Sequence, residues 1–130
     1  MSVPTGFSAI TPYVFATNAG AYVDFLIQAF GAVELGRSLR PDGCIANCQL
    51  RIETATIMIS EASPAFPPTP ASYYVYVDDA DAAMGRALAA GGDQIMPVED
   101  RIYGDRQGGV RDPAGTLWWI SQRLTEHPYY

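Results

Sequence analysis

The chain has 130 residues, of which 48% are hydrophobic and 17% charged, a composition typical of one globular domain. Its formal net charge of −6 argues against non-specific nucleic-acid binding, which depends on lysine and arginine. The sequence has no apolar run long enough to span a membrane and no basic, apolar leader after Met1. We therefore expect a cytoplasmic protein without a nucleic-acid or membrane partner.

The first half of the chain predicts the order β-α-β-β-β. Residues 10–15 are apolar and aromatic, with Pro12 near the start, and indicate a strand. Asn18 is a candidate helix cap, and apolar residues recur every three or four positions from Ala21 until Gly31 ends the pattern. Three further strands are expected over residues 33–39, 44–52 and 56–59.

The second half predicts the same order after a proline-rich linker at residues 63–70, where four prolines exclude a helix or a central strand. Residues 73–77 indicate a strand, and Asp78 or Asp79 is expected to cap a helix that ends at Gly91. Strands are expected near residues 94–98, 108–111 and 116–121, with a hairpin turn at residues 112–115.

The two halves are copies of one supersecondary unit, which must stack to bury an apolar face. The copies cover about residues 8–62 and 71–122 of a single domain, 1–130. The predicted fold is α+β: two tandem βαβββ modules form a curved eight-stranded mixed sheet with a cupped face and with helices on the outside.

The cysteines and the histidine give no sign of a metal site. Cys44 and Cys48 lie in a predicted strand, where four residues span roughly 13 Å, too far for a disulfide. Two free thiols are typical of a reducing compartment. His127, the only histidine, is in the C-terminal segment and is expected at the surface.

Three segments carry a resemblance to a known family: Ala29-Phe30-Gly31-Ala32, Met96-Pro97-Val98, and the stretch from Tyr103-Gly-Asp-Arg106 to Arg111-Asp-Pro-Ala-Gly-Thr-Leu-Trp118. In this order and spacing, the chain resembles the vicinal-oxygen-chelate superfamily of glyoxalase I, bleomycin-resistance proteins and extradiol dioxygenases. It is most similar to the PhnB-like branch. The resemblance implies the fold, but not one function, because this scaffold hosts many activities.

Enzymes of this superfamily hold a metal through His, Glu or Gln on the first and last strands of each copy. Those positions fall here on Thr11, Met58, Ser72 and Trp119. Where the PhnB-like branch often has histidine, this chain has Asn47 and Thr116, and Gln49 replaces a common glutamate. Because these side chains do not supply converging hard ligands, we expect no metal and no cofactor. If the last strand slips by one residue, Trp118 rather than Trp119 faces the cup; Glu61, Glu99 and Asp105 remain as spare carboxylates near strand ends.

Aromatic residues are the candidates for a binding surface. Trp118 and Trp119 are adjacent in a strand, so one is expected in the core and the other in the cup; we assign Trp119 to the cup. Tyr74 and Tyr76 share one face of their strand and Tyr73 lies on the other. Such rings offer stacking surfaces for planar or cationic ligands, although core or dimer packing is an equally good explanation.

The arginines and aspartates of the family-like segment are expected to be structural. Arg106 and Arg111 either meet an anionic group or, as we prefer, pair with Asp105, Asp112 or Glu99. The repeat partner of Arg111 is Arg51, which favours a structural role at both positions. Asp105 and Asp112 have the placement of turn and cap residues.

These observations predict a metal-free small-molecule binding protein that resembles bleomycin-resistance proteins and sequesters a planar or cationic compound, at a homodimer interface. No catalytic residue is assigned. The predicted ligand-binding residues are Trp119, Tyr74, Tyr76, Met58, Asn47, Thr11 and Ser72. The alternative is a lyase, dioxygenase or isomerase that uses a displaced metal site or no metal, a hypothesis that rests on the resemblance alone.

Overall fold

The computed structural model describes residues 1–130 and divides them into two compact units, Met1–Pro70 and Ala71–Tyr130. We call them module 1 and module 2. Module 1 consists of β1 (Tyr13–Ala16), α1 (Ala19–Phe30), β2 (Val33–Leu39), β3 (Ile45–Ile52) and β4 (Ala55–Glu61). Module 2 consists of β5 (Ser72–Tyr76), α2 (Ala80–Ala89), β6 (Asp93–Asp100), β7 (Asp105–Arg111) and β8 (Leu117–Arg123).

Both modules have the predicted βαβββ order, which confirms the α+β tandem-module fold. Hydrogen bonds divide the eight strands into two four-stranded sheets with the orders β1-β4-β3-β2 and β5-β8-β7-β6. In each sheet the first and last strands of the module run parallel and the other neighbours run antiparallel. The registers match: Tyr13 lies opposite Met58 in module 1, and Tyr74 lies opposite Trp119 in module 2.

Each helix covers one face of its own sheet. In module 1, β3 alternates between buried apolar residues such as Cys48 and Leu50 and partly exposed polar residues such as Asn47 and Gln49. In module 2 the buried members of β8 are Trp118 and Ile120, and Met84 of α2 reaches the same side. The opposite side of each sheet is not covered by the helix of that module, and we call this side the open face of the module.

Helix α1 begins differently from the prediction. Asn18 stands at the cap position, but its backbone is left-handed, with φ of 57°, and its side chain makes no capping hydrogen bond. The carboxylate of Glu61 replaces it: Oε2 accepts from the Asn18 N–H at 2.9 Å and Oε1 from the Ala19 N–H at 3.0 Å. The negative charge also suits the positive end of the helix dipole. Gly31, left-handed as predicted, ends the helix.

Helix α2 begins with the expected aspartate cap. Asp79 is the one of the two candidates that caps it, because its Oδ1 accepts from the Ala82 N–H at 3.0 Å. Gln122 of β8 adds a second bond, from the Ala80 N–H to its Oε1 at 3.0 Å. Gln122 therefore occupies in module 2 the place of Glu61 in module 1.

Most strand boundaries differ from the prediction by one or two residues, and the starts of β1 and β7 differ by three. Strand β1 begins at Tyr13 because Ile10 is 87% exposed and makes no ladder contact, and Pro12 has no N–H to donate. Strand β7 begins at Asp105, three residues earlier than expected, where it pairs with Arg123. The Asp112–Gly115 turn is confirmed by the Gly115 N–H, which donates to the Asp112 carbonyl at 3.0 Å. Neither helix is long and apolar enough to cross a membrane.

Candidate functional site

The open face of module 2 presents three aromatic side chains: Tyr74, Tyr76 and Trp119. We call them the aromatic face. Tyr74 is 52% and Tyr76 50% exposed, and their ring centroids are 6.1 Å apart at 56°. The adjacent Trp118 points to the other side, where it is 3% exposed and its Nε1–H donates to Asp112 Oδ2 at 2.8 Å. Trp119, half-buried, is thus the tryptophan available to a ligand.

The indole of Trp119 is fixed in place by two neighbours. Its Nε1–H donates to Ser72 Oγ at 2.9 Å, so the first and last strands of the module are tied side chain to side chain. Its six-membered ring lies against Gly109: a Cβ added there would be 2.8 Å from Cζ3. A larger residue at this position would push the ring away, so glycine creates the space for the indole.

A buried polar layer lies beside the aromatic face. Gln107 is 2% and Ser121 0% exposed, and the amide Nε2–H of Gln107 donates to Ser121 Oγ at 2.6 Å. The hydroxyl of Tyr103 donates to Oε1 of the same glutamine. Burial, and secondarily the neighbouring Tyr74, raises the pKa of Tyr103, which keeps this hydroxyl a donor at neutral pH. These groups orient one another and give the face a polar floor.

The segment after β8 folds back onto the end of the aromatic face. Asp105 is fully buried; its Oδ1 accepts from Arg123 Nη1 at 2.9 Å and its Oδ2 accepts from the Tyr129 hydroxyl at 2.7 Å. The hydroxyls of Tyr129 and Tyr76 are 2.9 Å apart, and Arg123 Cζ lies 4.0 Å from the centroid of the Tyr129 ring. We call these four residues the tail cluster: Asp105, Arg123, Tyr129 and Tyr76.

The hydrogen bonds of the tail cluster stabilise the protonated forms of Tyr129 and Arg123. The bond with Tyr76, then the bond with Asp105, raises the pKa of Tyr129 well above its ordinary value. The hydrogen bond to Asp105 likewise raises the pKa of Arg123. At neutral pH the cluster is therefore a neutral phenol and a guanidinium on one buried carboxylate.

The open face of module 1 holds three of the predicted ligand-binding residues and is partly covered by the N-terminal segment. A depression of about 480 Å³ lies between residues 1–9 and three side chains, Thr11, Gln49 and Met58. The segment is held by Thr56, whose hydroxyl donates to the Gly6 carbonyl at 2.6 Å. The lining is mixed apolar and polar, as expected for a small-molecule site.

Asn47 lies in a second, smaller depression of module 1. This depression has a volume of about 230 Å³ and is bounded by Asn47 and Gln49 of β3 and by residues 36–38 of β2. The Gln49 amide donates to Asn47 Oδ1 at 3.4 Å, a long bond that leaves both side chains able to turn towards a ligand.

The open face of module 1 also has an aromatic cluster that the sequence analysis missed. Tyr13 and Phe15 stack with centroids 4.8 Å apart, and Phe66 stacks on Phe15 at 5.5 Å. The Tyr13 hydroxyl is 2.7 Å from Ser60 Oγ. Tyr13 and Phe15 are the repeat equivalents of Tyr74 and Tyr76, so the symmetry of the repeat was a signal that could have found them.

The seven predicted residues fall into two groups, one in each module. Trp119, Ser72, Tyr74 and Tyr76 lie together on the open face of module 2, and Thr11, Met58 and Asn47 lie on that of module 1. The sequence analysis missed the polar layer and the tail cluster. The alternation of β7 and β8 could have placed Gln107 and Ser121, but no pattern in the sequence brings Tyr129 to Asp105.

The positions at which the superfamily binds metal do not fit a divalent cation in this chain. The Thr11 hydroxyl donates to the Ser8 carbonyl at 3.5 Å, and Ser72 Oγ accepts from Trp119. Met58 and Trp119 offer a thioether and an indole, which are poor partners for hard cations. No three His, Cys, Asp or Glu side chains converge anywhere in the chain. These four side chains therefore do not form a site for a divalent cation.

Arg106 forms ion pairs different from those expected. Arg106 pairs with Asp81 of α2 at 2.8 Å and with Asp100 at 3.0 Å, instead of Asp105, Asp112 or Glu99. Both partners come from elements that flank β7, which the linear sequence does not show. Glu99 pairs with Arg101 at 3.3 Å. The expected turn role of Asp112 holds, since its Oδ1 accepts from the Ala114 and Thr116 N–H groups, both at 2.9 Å.

The chain was compared with known proteins. No family model matches it. An uncharacterized protein of Mycobacterium bovis is 36% identical over 129 residues, covering 91% of this chain and 85% of that protein. The crystal structure of TioX from Micromonospora sp. ML1 has a TM-score of 0.75 and 30% identity and covers 90% of this chain and 99% of TioX.

Other solved structures name the family that shares this fold. A glyoxalase/bleomycin resistance protein/dioxygenase family enzyme from Burkholderia phytofirmans has a TM-score of 0.70 at 20% identity, covering 92% of this chain and 98% of the enzyme. The chain belongs to the vicinal-oxygen-chelate superfamily. TnmS3 from Streptomyces sp. CB03234, which is described as an antibiotic binding protein, shares the fold with a TM-score of 0.70 at 19% identity. The match covers 95% of this chain and 98% of TnmS3.

The superfamily fold thus serves both enzymes and small-molecule binding proteins, and the fold alone does not choose between them. In this member of the vicinal-oxygen-chelate superfamily the positions that the resemblance assigns to metal ligands carry Thr, Met, Ser and Trp. The choice therefore depends on the chemistry of the two open faces.

Proposed function

We infer that the protein is a metal-free binding protein for a planar or cationic small molecule, which it takes up on the aromatic face of module 2. The observation that carries this function is the geometry of Trp119. Its indole is half-buried, held by Ser72 and backed by Gly109, so it offers one ring face in a fixed position. Tyr74 lies opposite it in the sheet and Tyr76 two residues further along the strand.

A pre-positioned aromatic face suits stacking for two physical reasons. Two of the rings lose little conformational freedom on binding, because Trp119 is hydrogen-bonded to Ser72 and Tyr76 to Tyr129. Their quadrupoles attract cations, and the net charge of −6 adds a general attraction for cationic compounds. TnmS3, which shares this fold, is described as an antibiotic binding protein, so the fold is compatible with the binding of a small molecule.

A fluorescence titration tests this function. The protein is added to each of a panel of planar cationic dyes while the fluorescence anisotropy of the dye is followed, and we expect binding below millimolar concentration for at least one dye. Trp119→Ala should weaken that binding by about tenfold or more, since a stacked aromatic in a desolvated site contributes on the order of 1–2 kcal/mol.

Two variants control the titration. Tyr130→Ala removes an exposed aromatic ring with no contact to the aromatic face and should bind like the wild type. Tyr74→Ala removes the ring opposite Trp119 and should weaken binding in the same direction as Trp119→Ala. The proposal fails if no compound of the panel binds below millimolar concentration, or if Trp119→Ala and Tyr130→Ala have equal affinity.

Elemental analysis by mass spectrometry separates this function from the metal-dependent enzyme. We expect purified, size-fractionated protein to contain no stoichiometric nickel, zinc, manganese or iron, because the donors at the superfamily's metal positions are unsuitable. Stoichiometric metal, together with a loss of thermal stability on chelation, would overturn the metal-free proposal and favour the lyase or dioxygenase alternative.

We also propose that the protein acts as a homodimer in the cytoplasm. The edge strand β2 is exposed along its whole length, and Val33, Leu35 and Leu39 are 60%, 49% and 57% exposed. An apolar edge of this kind is normally covered by a partner. Both cysteines are free, in keeping with a reducing compartment. Light scattering coupled to size-exclusion chromatography measures the mass; a monomer at micromolar concentration would refute the dimer.

A further inference from the structure

The tail cluster has the organisation of a ligand site that the chain fills with its own side chain. Tyr129 is 44% exposed, yet its hydroxyl reaches a carboxylate that is fully buried. Its ring lies on the guanidinium of Arg123, with the Arg123 Cζ 4.0 Å from the ring centroid. A second phenol, Tyr76, is 2.9 Å from the same hydroxyl. Three groups of the protein therefore recognise one phenol.

Those three groups are held in place without Tyr129. Arg123 is fixed by the buried Asp105 at 2.9 Å and by the carbonyl of Tyr103 at 2.7 Å. Tyr76 lies in β5, which pairs with β8. Only the segment after Arg123 would have to move for the site to open, and few bonds hold it: Leu124 N–H donates to the Gly104 carbonyl, and Arg123 Nη2 donates to the His127 carbonyl.

Departure of Tyr129 would leave a defined vacancy. Asp105 Oδ2 would lose its phenol donor, and one face of the Arg123 guanidinium would lose its ring. A buried carboxylate oxygen without a donor is costly, so the site favours occupants that supply both an O–H and an aromatic ring. An aliphatic alcohol lacks the ring, and an aryl ether lacks the donor.

We propose that Asp105, Arg123 and Tyr76 of the tail cluster form a phenol-binding site that Tyr129 occupies in the free protein. A small molecule with a hydroxyaryl group binds there by displacing Tyr129. Asp105 Oδ2 accepts a hydrogen bond from the hydroxyl group of the ligand, and the Arg123 guanidinium stacks on the ligand ring. The Tyr76 hydroxyl donates a hydrogen bond to the hydroxyl oxygen of the ligand. The site shares only Tyr76 with the aromatic face, so the inference does not depend on the proposed function.

Module 1 supports the assignment by contrast. The register of its sheet puts Ile45 in the place of Asp105 and Ala62 in the place of Arg123, and Phe66 is the aromatic that folds back on Phe15. That end has neither the acceptor nor the cation, so the phenol site is a feature of module 2 alone. Topology does not require the polar cluster, because the same fold closes with apolar residues in module 1.

Fluorine NMR on the full chain tests the proposal with two probes, para-fluorophenol and para-fluoroanisole. Tyr129→Ala empties the site without touching the groups that form it. We expect the variant to bind para-fluorophenol about tenfold more tightly than the wild type, because no docked side chain has to be displaced. The anisole, which has no donor for Asp105, should show no such gain.

Further variants keep the test decisive. Tyr129→Phe retains the ring and loses the hydroxyl, so it should show a smaller gain of the same sign even if Tyr129→Ala folds poorly. Adding Tyr76→Phe to Tyr129→Ala should weaken the fluorophenol complex about fivefold, the worth of one hydrogen bond. Equal affinity of wild type and both Tyr129 variants for para-fluorophenol, no binding at all, or an equal gain for the anisole would each overturn the site.

The outcome is also separable from that of the proposed function. Trp119→Ala should leave para-fluorophenol binding to the Tyr129→Ala background unchanged, since the Trp119 indole is hydrogen-bonded to Ser72 and not to a member of the tail cluster. Loss of dye binding with retained phenol binding would therefore refute only the aromatic face, and the converse would refute only the phenol site.

Discussion

The two modules have the same topology and register, but they close the ends of their open faces by different physical means. In module 1 Phe66 stacks on Phe15 with an interplanar angle of 15°, and the residue in the β3 position next to this end, Ile45, is 4% exposed. In module 2 Tyr129 approaches Tyr76 through hydroxyls and reaches the buried carboxylate of Asp105.

The difference shows what a repeated fold leaves free to vary. Apolar stacking is tolerant in geometry and insensitive to pH. A hydrogen-bonded phenol on a buried ion pair is directional, depends on protonation, and can be replaced by another phenol. The polar end of module 2 can therefore respond to pH or to another phenol, whereas the apolar end of module 1 only closes the fold. The following predictions test that distinction, from the largest expected effect to the smallest.

Removal of the buried carboxylate should have the largest effect. Asp105→Ala leaves Arg123, whose side chain is 23% exposed, without its ion-pair partner, and it leaves Tyr129 without its acceptor. We expect a loss of about 3 kcal/mol in the free energy of unfolding, measured by urea denaturation. The matched control is Asp100→Ala, which removes a 68% exposed carboxylate that pairs with Arg106. This variant should lose less than about 1 kcal/mol in the free energy of unfolding. Equal losses would show that the buried cluster has no special role.

Filling the space under Trp119 should have the next largest effect. Gly109→Ala places a methyl 2.8 Å from the indole and 3.0 Å from Ile95, so we expect a destabilisation of about 1–3 kcal/mol and a shift in tryptophan emission. Gly36→Ala is the control in module 1, because its added methyl has no neighbour within 4 Å. An unchanged emission spectrum in Gly109→Ala would contradict the fixed position of Trp119.

The helix starts offer a smaller but cleaner comparison. Glu61 accepts two backbone N–H groups of α1 and adds negative charge, whereas Gln122 accepts one N–H of α2 and is neutral. Glu61→Ala should cost about 1.5 kcal/mol and Gln122→Ala about 0.7 kcal/mol in thermal or urea unfolding. Glu126→Ala, an exposed substitution, is the control. The reverse order of the two losses would show that the carboxylate is not the stronger cap.

The smallest effect is a pH dependence that only the polar end should have. The pKa of Tyr129 is raised in the folded protein, so its phenol stabilises the fold below the unfolded value of 10.0, and this contribution is lost as the pH rises further. The stability difference between wild type and Tyr129→Phe should therefore stay constant at about pH 8 to 9 and shrink as the pH rises above about 10. Phe66→Leu, at the apolar end, should show no such trend; a constant Tyr129→Phe difference would refute the prediction.

Much of the fold could be predicted because its signals are local. The apolar spacing of α1 and the left-handed Gly31 located that helix, and the cap at Asp79 located the start of α2. The cap of α1 could not be predicted, because its acceptor, Glu61, is more than forty residues away from the N–H groups it binds. Strand alternation separated Trp118 from Trp119, but the choice between them depended on which face the helix covers.

The candidate site was predictable only in part. The sequence pattern placed Tyr74, Tyr76 and Trp119 on strands, and the resemblance to the superfamily pointed to Thr11, Met58 and Ser72. That these residues bind a ligand stays a prediction. Gly109, which makes room for the indole, and Tyr129, which follows the last strand, carry no periodic signal, so nothing in the linear pattern could identify them.

The sequence by itself determined the tandem modules and the positions of both helices. These follow from periodicity, turn residues and side-chain chemistry, which act over a few neighbours. Only the tertiary structure decided the partners of the charges: Arg106 pairs with Asp81 and Asp100, and Asp105 pairs with Arg123 and Tyr129. Such pairs form between segments far apart in the chain, and their energies depend on a burial that exists only after folding.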